Sequence, residues 1–185
     1  MHIIVLGAGI SGCLIAQRLA RDSNYQVSLI DQTHGPALET SAHQMALVHP
    51  QVNKKSTKLQ RFTQLANRII WQKYAATVRY RGAFQPLIQS TSMSKNLISE
   101  LLLTLKFTNL EIAYMNKDEA FQLTNVPTDG LWFKTAGIYD LQKISSDALN
   151  NVEGVKKYWQ QKIVQLNYKN ARWSVINENQ EVVCT

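Results

Sequence analysis

Gly7, Gly9, Gly12 and Asp31 are the residues whose types and spacing point most directly to a chemistry. Gly7 permits a tight turn, Gly9 lets the backbone approach a pyrophosphate, and Gly12 lets a following helix pack against the strand before it. An acidic side chain about 20 residues beyond such glycines accepts hydrogen bonds from a ribose hydroxyl and repels a 2'-phosphate. The chemistry implied is the binding of a dinucleotide. This stretch alone does not divide FAD from NAD.

The elements needed to position those residues follow in order. The apolar run Ile3 to Leu6 reads as a buried strand entering a turn at Gly7. A helix over Ser11 to Arg21 aims its free N–H groups and positive dipole end at the phosphates. A second strand, Val27 to Ile30, ends on Asp31. Gln32 to Glu39 and Ser41 to Pro50 read as loops. A helix is expected over Ser56 to Thr77, burying Leu59, Phe62, Leu65, Ala66, Ile69 and Ile70 and offering basic groups on its other face.

Further along, Ala83 to Gln89 reads as an edge strand because of Pro86. Ser94 caps a helix with Leu97, Ile98, Leu101, Leu102 and Leu105 inside, Ile112 to Met115 is a short strand, and Asn116 caps a brief helix to Leu123. Leu131 to Phe133 and Gly137 to Tyr139 are two extended pieces, Leu141 to Leu149 is helical, and a meander of three strands closes the sequence from Ile163 to Cys184.

With 185 residues and 45% hydrophobic content, the sequence can bury one core and a small second lobe. No apolar run reaches the roughly 18 residues of a membrane span, and the apolar N-terminus lacks a basic leader, so a cytoplasmic location is expected. Cys13 and Cys184 imply no disulfide framework, and Cys13 is expected to be a buried small hydrophobe. The net charge is +7, and no acidic residue occurs between Glu39 and Glu100. That interval holds Lys54, Lys55, Lys58, Arg61, Arg68, Lys73, Arg79, Arg81 and Lys95, which fits either a polyanion partner such as nucleic acid or a solvated basic face. His43 and His49 lie in one loop without a cysteine or carboxylate at ligand spacing, so no metal is expected. No catalytic residue can be assigned from the residue pattern.

The motifs resemble the FAD-dependent oxidoreductases of the D-amino-acid oxidase and glycine oxidase type. IVLGAGISG, Ile4 to Gly12, is similar to that family's VIGGGIAG pattern, with Asp31 in place of the usual glutamate. Ser41, Ala42, His43, Ala46, Val48 and Pro50 match its ASGN..G.L.P segment, which runs beside the flavin. Within the family, SAHQMALVHP, RFTQLANRIIWQKY and GLWFKTAGIYDLQKISSDAL most resemble the flavin domain of bacterial bifunctional enzymes that make 5-methylaminomethyl-2-thiouridine in tRNA.

The resemblance implies an α/β fold: a Rossmann-like FAD-binding domain of the glutathione-reductase-like GxGxxG type, residues 1–81 and 136–185, with a partial α+β substrate lobe over 82–135. It implies FAD held by Gly7, Ala8, Gly9, Ile10, Ser11, Gly12, Asp31, Gln32, Ser41, Ala42, His43, Gln44, Met45 and Ala46. It also implies oxidation of a C–N bond that removes a carboxymethyl group from a modified wobble uridine, with tRNA bound through Lys54, Lys55, Lys58, Arg61, Arg68 and Lys73. A free amino acid substrate such as glycine or sarcosine, and a truncated nucleotide-binding module without catalysis, are the alternatives. The likeness spans nearly the whole sequence but only about the first half of the family's domain, so open strand edges and a partner chain or self-association to cover them are expected.

Overall fold

The computed structural model describes residues 1–52, 57–87 and 95–185. The chain runs β1 (His2–Leu6), α1 (Ile10–Ala20), β2 (Gln26–Ile30), β3 (Ala46–Val48), α2 (Lys58–Tyr74), β4 (Val78–Pro86) and α3 (Lys95–Thr104). It continues β5 (Ile112–Met115), α4 (Lys117–Thr124), β6 (Gly130–Tyr139), α5 (Leu141–Asn150), β7 (Val155–Tyr158), β8 (Ile163–Lys169), β9 (Arg172–Asn177) and β10 (Val182–Cys184). The cap expected at Ser94 lies outside the described residues.

Two compact units divide the chain: Met1–Gln44 with Asp140–Thr185, and Met45–Tyr139. The boundaries therefore differ from the 82–135 lobe read from the sequence. The reason is hydrogen bonding: β3 and β4 both pair antiparallel with β6, which draws residues 45–81 into the second unit.

In the first unit, β1, β2 and β7 form a parallel sheet in the order β1-β2-β7. Val27, Ser28, Leu29 and Ile30 of β2 are all buried, as befits a central parallel strand covered on both faces. Cys13 and Ala16 of α1 pack with Val27, Leu29, Ala148 and Leu149, and these small α1 side chains allow close approach of helix and sheet. The third parallel strand, β7, is absent from the sequence reading. Its Lys156 and Lys157 break the apolar run that marks its neighbours. β8, β9 and β10 form the expected antiparallel meander.

The second unit is a four-stranded antiparallel sheet, with β6 bonded in turn to β3, β4 and β5. β6 is one continuous strand of 10 residues where two pieces were expected. Its core gathers Ile98, Leu102, Leu105, Phe107, Ile112, Leu131 and Phe133. α4 opens on a reciprocal cap in which Asn116 accepts from Asp118 and Glu119 N–H while Glu119 accepts from Asn116 N–H.

The α2 helix overturns the expected facing. Gln60, Gln64 and Asn67 are the buried side chains, whereas Leu59, Phe62, Leu65 and Ile69 are 56%, 68%, 57% and 44% exposed. The polar face is held by specific bonds: Gln64 Nε2 donates to the Lys106 carbonyl at 3.0 Å and Asn67 Nδ2 to Thr135 Oγ1 at 2.9 Å. Arg68 adds a bidentate pair to Glu111, at 2.6 and 2.9 Å.

Glu111 is 8% exposed and also accepts from Thr108 N–H and Oγ1. Burial raises its pKa, but the bonds to Arg68 and Thr108 outweigh burial and hold it below its ordinary 4.5. Glu111→Ala is expected to destabilise the second unit by about 2 kcal/mol at neutral pH, under the range for a fully enclosed pair because Arg68 reaches solvent. A depressed carboxylate pKa stabilises fully above the unfolded value, and that contribution is lost as pH falls through the native one. Denaturant midpoints of the wild type and Glu111→Ala should therefore converge as pH drops below 4.5.

Candidate functional site

The glycine loop is fixed by backbone geometry. Gly7 turns the chain at φ +93, a left-handed conformation that favours glycine, and donates its N–H to the Ile30 carbonyl at 2.8 Å. A Cβ placed on Gly12 would fall on the carbonyl oxygen of Gly7. Residue 12 must be glycine for α1 to sit this close to the loop.

Gly9 is the N-cap of α1, and no acidic side chain occupies the helix's first turn. Ile10 N–H donates to Ser41 Oγ at 3.1 Å. Among the described residues, no hydrogen-bond partner is found for the N–H groups of Ser11 and Gly12. A helix start with free N–H groups and no acid beside it suits a phosphate.

Asp31 stands against the same loop. Its Oδ2 accepts from Ala8 N–H at 2.6 Å, and its Oδ1 accepts from Thr33 N–H at 2.7 Å. The Thr33 hydroxyl lies 2.7 Å from Oδ1 and 2.8 Å from the Gly35 carbonyl. Burial raises the Asp31 pKa, yet the bonds from Ala8 and Thr33 bring the net result below its ordinary 3.8. A carboxylate offers about four acceptor sites, so the charged side chain braces the loop and keeps capacity for a ribose hydroxyl.

Gly7, Ala8, Gly9, Asp31 and Ser41 line one cavity of about 140 Å³, together with Thr33, Ala37, Leu38, Glu39 and Thr40. Ile10, Ser11 and Gly12 form the first turn of α1. The remaining expected residues do not line this cavity. Gln32 is exposed and donates to Glu39 Oε1 at 2.5 Å. Ala42, His43 and Gln44 are exposed, with Ala42 N–H on the Glu39 carbonyl at 2.8 Å and the His43 carbonyl accepting from Leu141 N–H at 3.3 Å. Met45 and Ala46 belong to the second unit, where Ala46 pairs with Tyr139.

Sequence reasoning missed the five residues from Thr33 to Thr40 because that loop lacks periodicity. The Asp31-x-Thr33 spacing, suited to a side chain folding back on the backbone two residues on, was the available signal. Cys13 is fully buried and does more than fill space: its Sγ donates to the Ala8 carbonyl at 3.1 Å. Burial, aided by the Asp31 charge, pushes its thiol up to about 11 against the opposing hydrogen bond with Ser145. It stays protonated and supports the loop from beneath.

Lys58, Arg61 and Lys73 are exposed on α2, and Arg68 pairs with Glu111. Arg81 lies over the Trp71 ring at 5.6 Å from its centroid. Lys54 and Lys55 lie outside the described residues. No helix among the described residues is long and apolar enough to cross a membrane.

A parallel sheet, a glycine-turned helix start and a carboxylate at the end of the second strand define a dinucleotide-binding α/β protein. The family model described as FAD dependent oxidoreductase matches residues 2–185, and the chain belongs to that family. It is similar to the tRNA 5-methylaminomethyl-2-thiouridine biosynthesis bifunctional protein MnmC of Ralstonia nicotianae, 29% identical over 98% of this chain and 29% of that protein. The protein of the same name from Cupriavidus metallidurans is 30% identical over 74% of this chain and 21% of its own length.

Among solved structures, glycine oxidase from Bacillus cereus superposes with a TM-score of 0.72 at 15% identity, covering 98% of this chain and 54% of that one. L-proline dehydrogenase from P. horikoshii gives 0.75 at 16% identity, over 97% and 49%. The chain thus spans less than a third of these curated relatives and about half of these structural neighbours. The loop geometry fits the family's cofactor: the close Gly7–Gly12 approach, the free first-turn N–H groups and the Asp31 carboxylate suit its pyrophosphate and ribose.

Proposed function

We propose that this chain is the FAD-binding portion of an amine oxidoreductase whose substrate is a carboxymethylated wobble uridine in tRNA. The observation that carries the cofactor reading is the loop in which residue 12 has no room for a Cβ, set at an open helix start beside Asp31. The substrate reading is supported by likeness to proteins named for tRNA 5-methylaminomethyl-2-thiouridine biosynthesis along nearly the whole chain.

The first-turn N–H groups of α1 would hold the pyrophosphate, Asp31 a ribose hydroxyl, and Ser41 would fix the helix start through Ile10 N–H. Bound FAD would supply hydride acceptance from the carbon next to the substrate amine. Exposed Lys58, Arg61 and Lys73 offer charges to the tRNA phosphates, joined by Lys54 and Lys55 from the same basic interval. No catalytic residue is assigned to this chain.

Incubation of the FAD-supplied protein with tRNA bearing the carboxymethylaminomethyl uridine, followed by nucleoside mass spectrometry, tests the reading. The aminomethyl nucleoside and glyoxylate are the expected products. Unchanged tRNA with oxidation of free glycine or sarcosine would move the substrate to a free amino acid. Retained FAD with neither activity would favour a binding module without catalysis.

Binding to tRNA should weaken steeply with salt. Removing Lys58, Arg61 and Lys73 together should reduce the log–log salt slope by about one for each phosphate that is no longer neutralised. A slope unaltered by the triple substitution would remove α2 from the tRNA surface.

A further inference from the structure

A second acid-free basic interval lies in the first unit. No acidic residue occurs between Glu153 and Glu178, a stretch that holds Lys156, Lys157, Lys162, Lys169 and Arg172 interleaved with Tyr158, Trp159, Tyr168 and Trp173. Two of these cations are engaged: Lys157 Nζ donates to the Leu149 carbonyl at 3.1 Å, and Lys162 pairs with Glu178 at 3.6 Å. Lys169 and Arg172 are exposed and, among the described residues, have no carboxylate partner.

The placement of these two charges works against the fold. Lys169 and Arg172 are the facing residues that close the β8–β9 turn, and like charges directly opposite one another are destabilising. Between them Asn170 and Ala171 both have positive φ, +53 and +59. A two-residue turn of this kind favours glycine at its second position, so the Ala171 methyl adds to the cost. One step in from the tip, Tyr168 and Trp173 face each other with ring centroids 5.0 Å apart, yet they are 62% and 55% exposed. A hairpin tip built for stability alone would carry opposite charges and a glycine.

A ligand that relieves this arrangement must bring negative charge to Lys169 and Arg172 and a planar apolar face to the rings. The charges and the indole border one opening: Lys169, Arg172 and Trp173 line a cavity of about 500 Å³ together with Asn170 and Ser174. An unpaired nucleic acid strand supplies both groups, phosphate and the open face of a base. A duplex keeps its bases stacked inside and offers phosphate alone. We propose that the tip of the β8–β9 hairpin is a stacking platform for an unpaired stretch of the tRNA, with a base on Trp173 and Tyr168 and phosphates on Lys169 and Arg172. The platform rests on the tRNA reading above and adds a contact in the first unit to the α2 charges of the second.

Fluorescence anisotropy of the 185-residue protein with a labelled, unmodified single-stranded RNA of about 10 nucleotides, and with its duplex, tests the platform. Trp173→Ala is expected to weaken the single strand about tenfold and the duplex hardly at all. Its log–log salt slope should match the wild type, because a stacking contact releases no counterions. Lys169→Gln combined with Arg172→Gln should instead lower the single-strand slope by about 0.7 for each phosphate no longer neutralised.

Trp173→Phe should keep most of the affinity and lose the quenching of tryptophan fluorescence that the RNA causes in the wild type. That variant carries the test if circular dichroism melts show Trp173→Ala to be unfolded. A wild type that binds no single-stranded RNA would overturn the proposal, as would a folded Trp173→Ala that binds it equally well. Quenching that survives Trp173→Phe would overturn it too. Binding to phosphatidylserine vesicles that Trp173→Ala abolishes, with RNA affinity unaltered, would assign the tip to a membrane surface instead. The oligonucleotide carries no carboxymethylated uridine and the readout needs no FAD, so failure of the platform and failure of the proposed reaction are distinguishable.

Discussion

Gly12→Ala is expected to abolish FAD binding and to destabilise the first unit. The added methyl carbon would coincide with the Gly7 carbonyl oxygen, and backbone on both sides leaves no flexible side chain to yield. Either α1 moves off the loop or the loop loses its turn, and both disperse the N–H groups proposed to hold the pyrophosphate. Overpacking of this kind costs about 1–3 kcal/mol, visible as a lower melting temperature. Gly35→Ala is the control: a Cβ there meets only Leu38 Cδ1 at an ordinary 3.6 Å. Its stability should stay within about 0.5 kcal/mol of the wild type, with FAD binding retained.

Asp31→Ala is expected to weaken FAD by about 10- to 100-fold, corresponding to the roughly 1.5–3 kcal/mol of a hydrogen bond to a charged group. The substitution removes the proposed ribose acceptor and also releases Ala8 N–H and Thr33, so the loop loses its brace as well. Fluorescence titration reads the affinity. The structural share of the loss is read from stability without cofactor. Because the native pKa lies below 3.8, the carboxylate's contribution is complete above that value and disappears as pH falls through the native one. Wild-type and Asp31→Ala stabilities should therefore approach each other in acid. An Asp31→Ala protein that binds FAD as tightly as the wild type would remove the carboxylate from the site.

The nucleotide half of the fold was legible because its signals are local. An apolar run, glycines at fixed spacing and a carboxylate ending the second strand all lie within Ile3 to Asp31, and the structure places them as that spacing requires. What depends on distant partners was not legible. Periodicity marked Leu59, Phe62, Leu65 and Ile69 as one stripe, but it cannot say which face the chain covers. Partners as far off as Lys106, Glu111 and Thr135 turned Gln64, Arg68 and Asn67 inward instead.

β3, three residues long, exists only through its pairing with β6 some ninety residues later. β7 carries two lysines and resembles a loop until Leu29 and Ile30 are seen beside it. Ser41 to Pro50 resembled a flavin-side segment by motif, and the unit boundary between Gln44 and Met45 falls within it.

Binding of FAD compared with FMN is the most direct measurement, because the two share the reactive ring and differ in the adenosine monophosphate portion. On the proposed reading Gly7 to Gly12 and Asp31 hold the adenine-nucleotide end, so the purified chain should bind FAD saturably, with ADP competing and FMN failing to compete. Absence of saturable FAD binding, or FMN binding as tight as FAD, would contradict a site built on the glycine loop and Asp31.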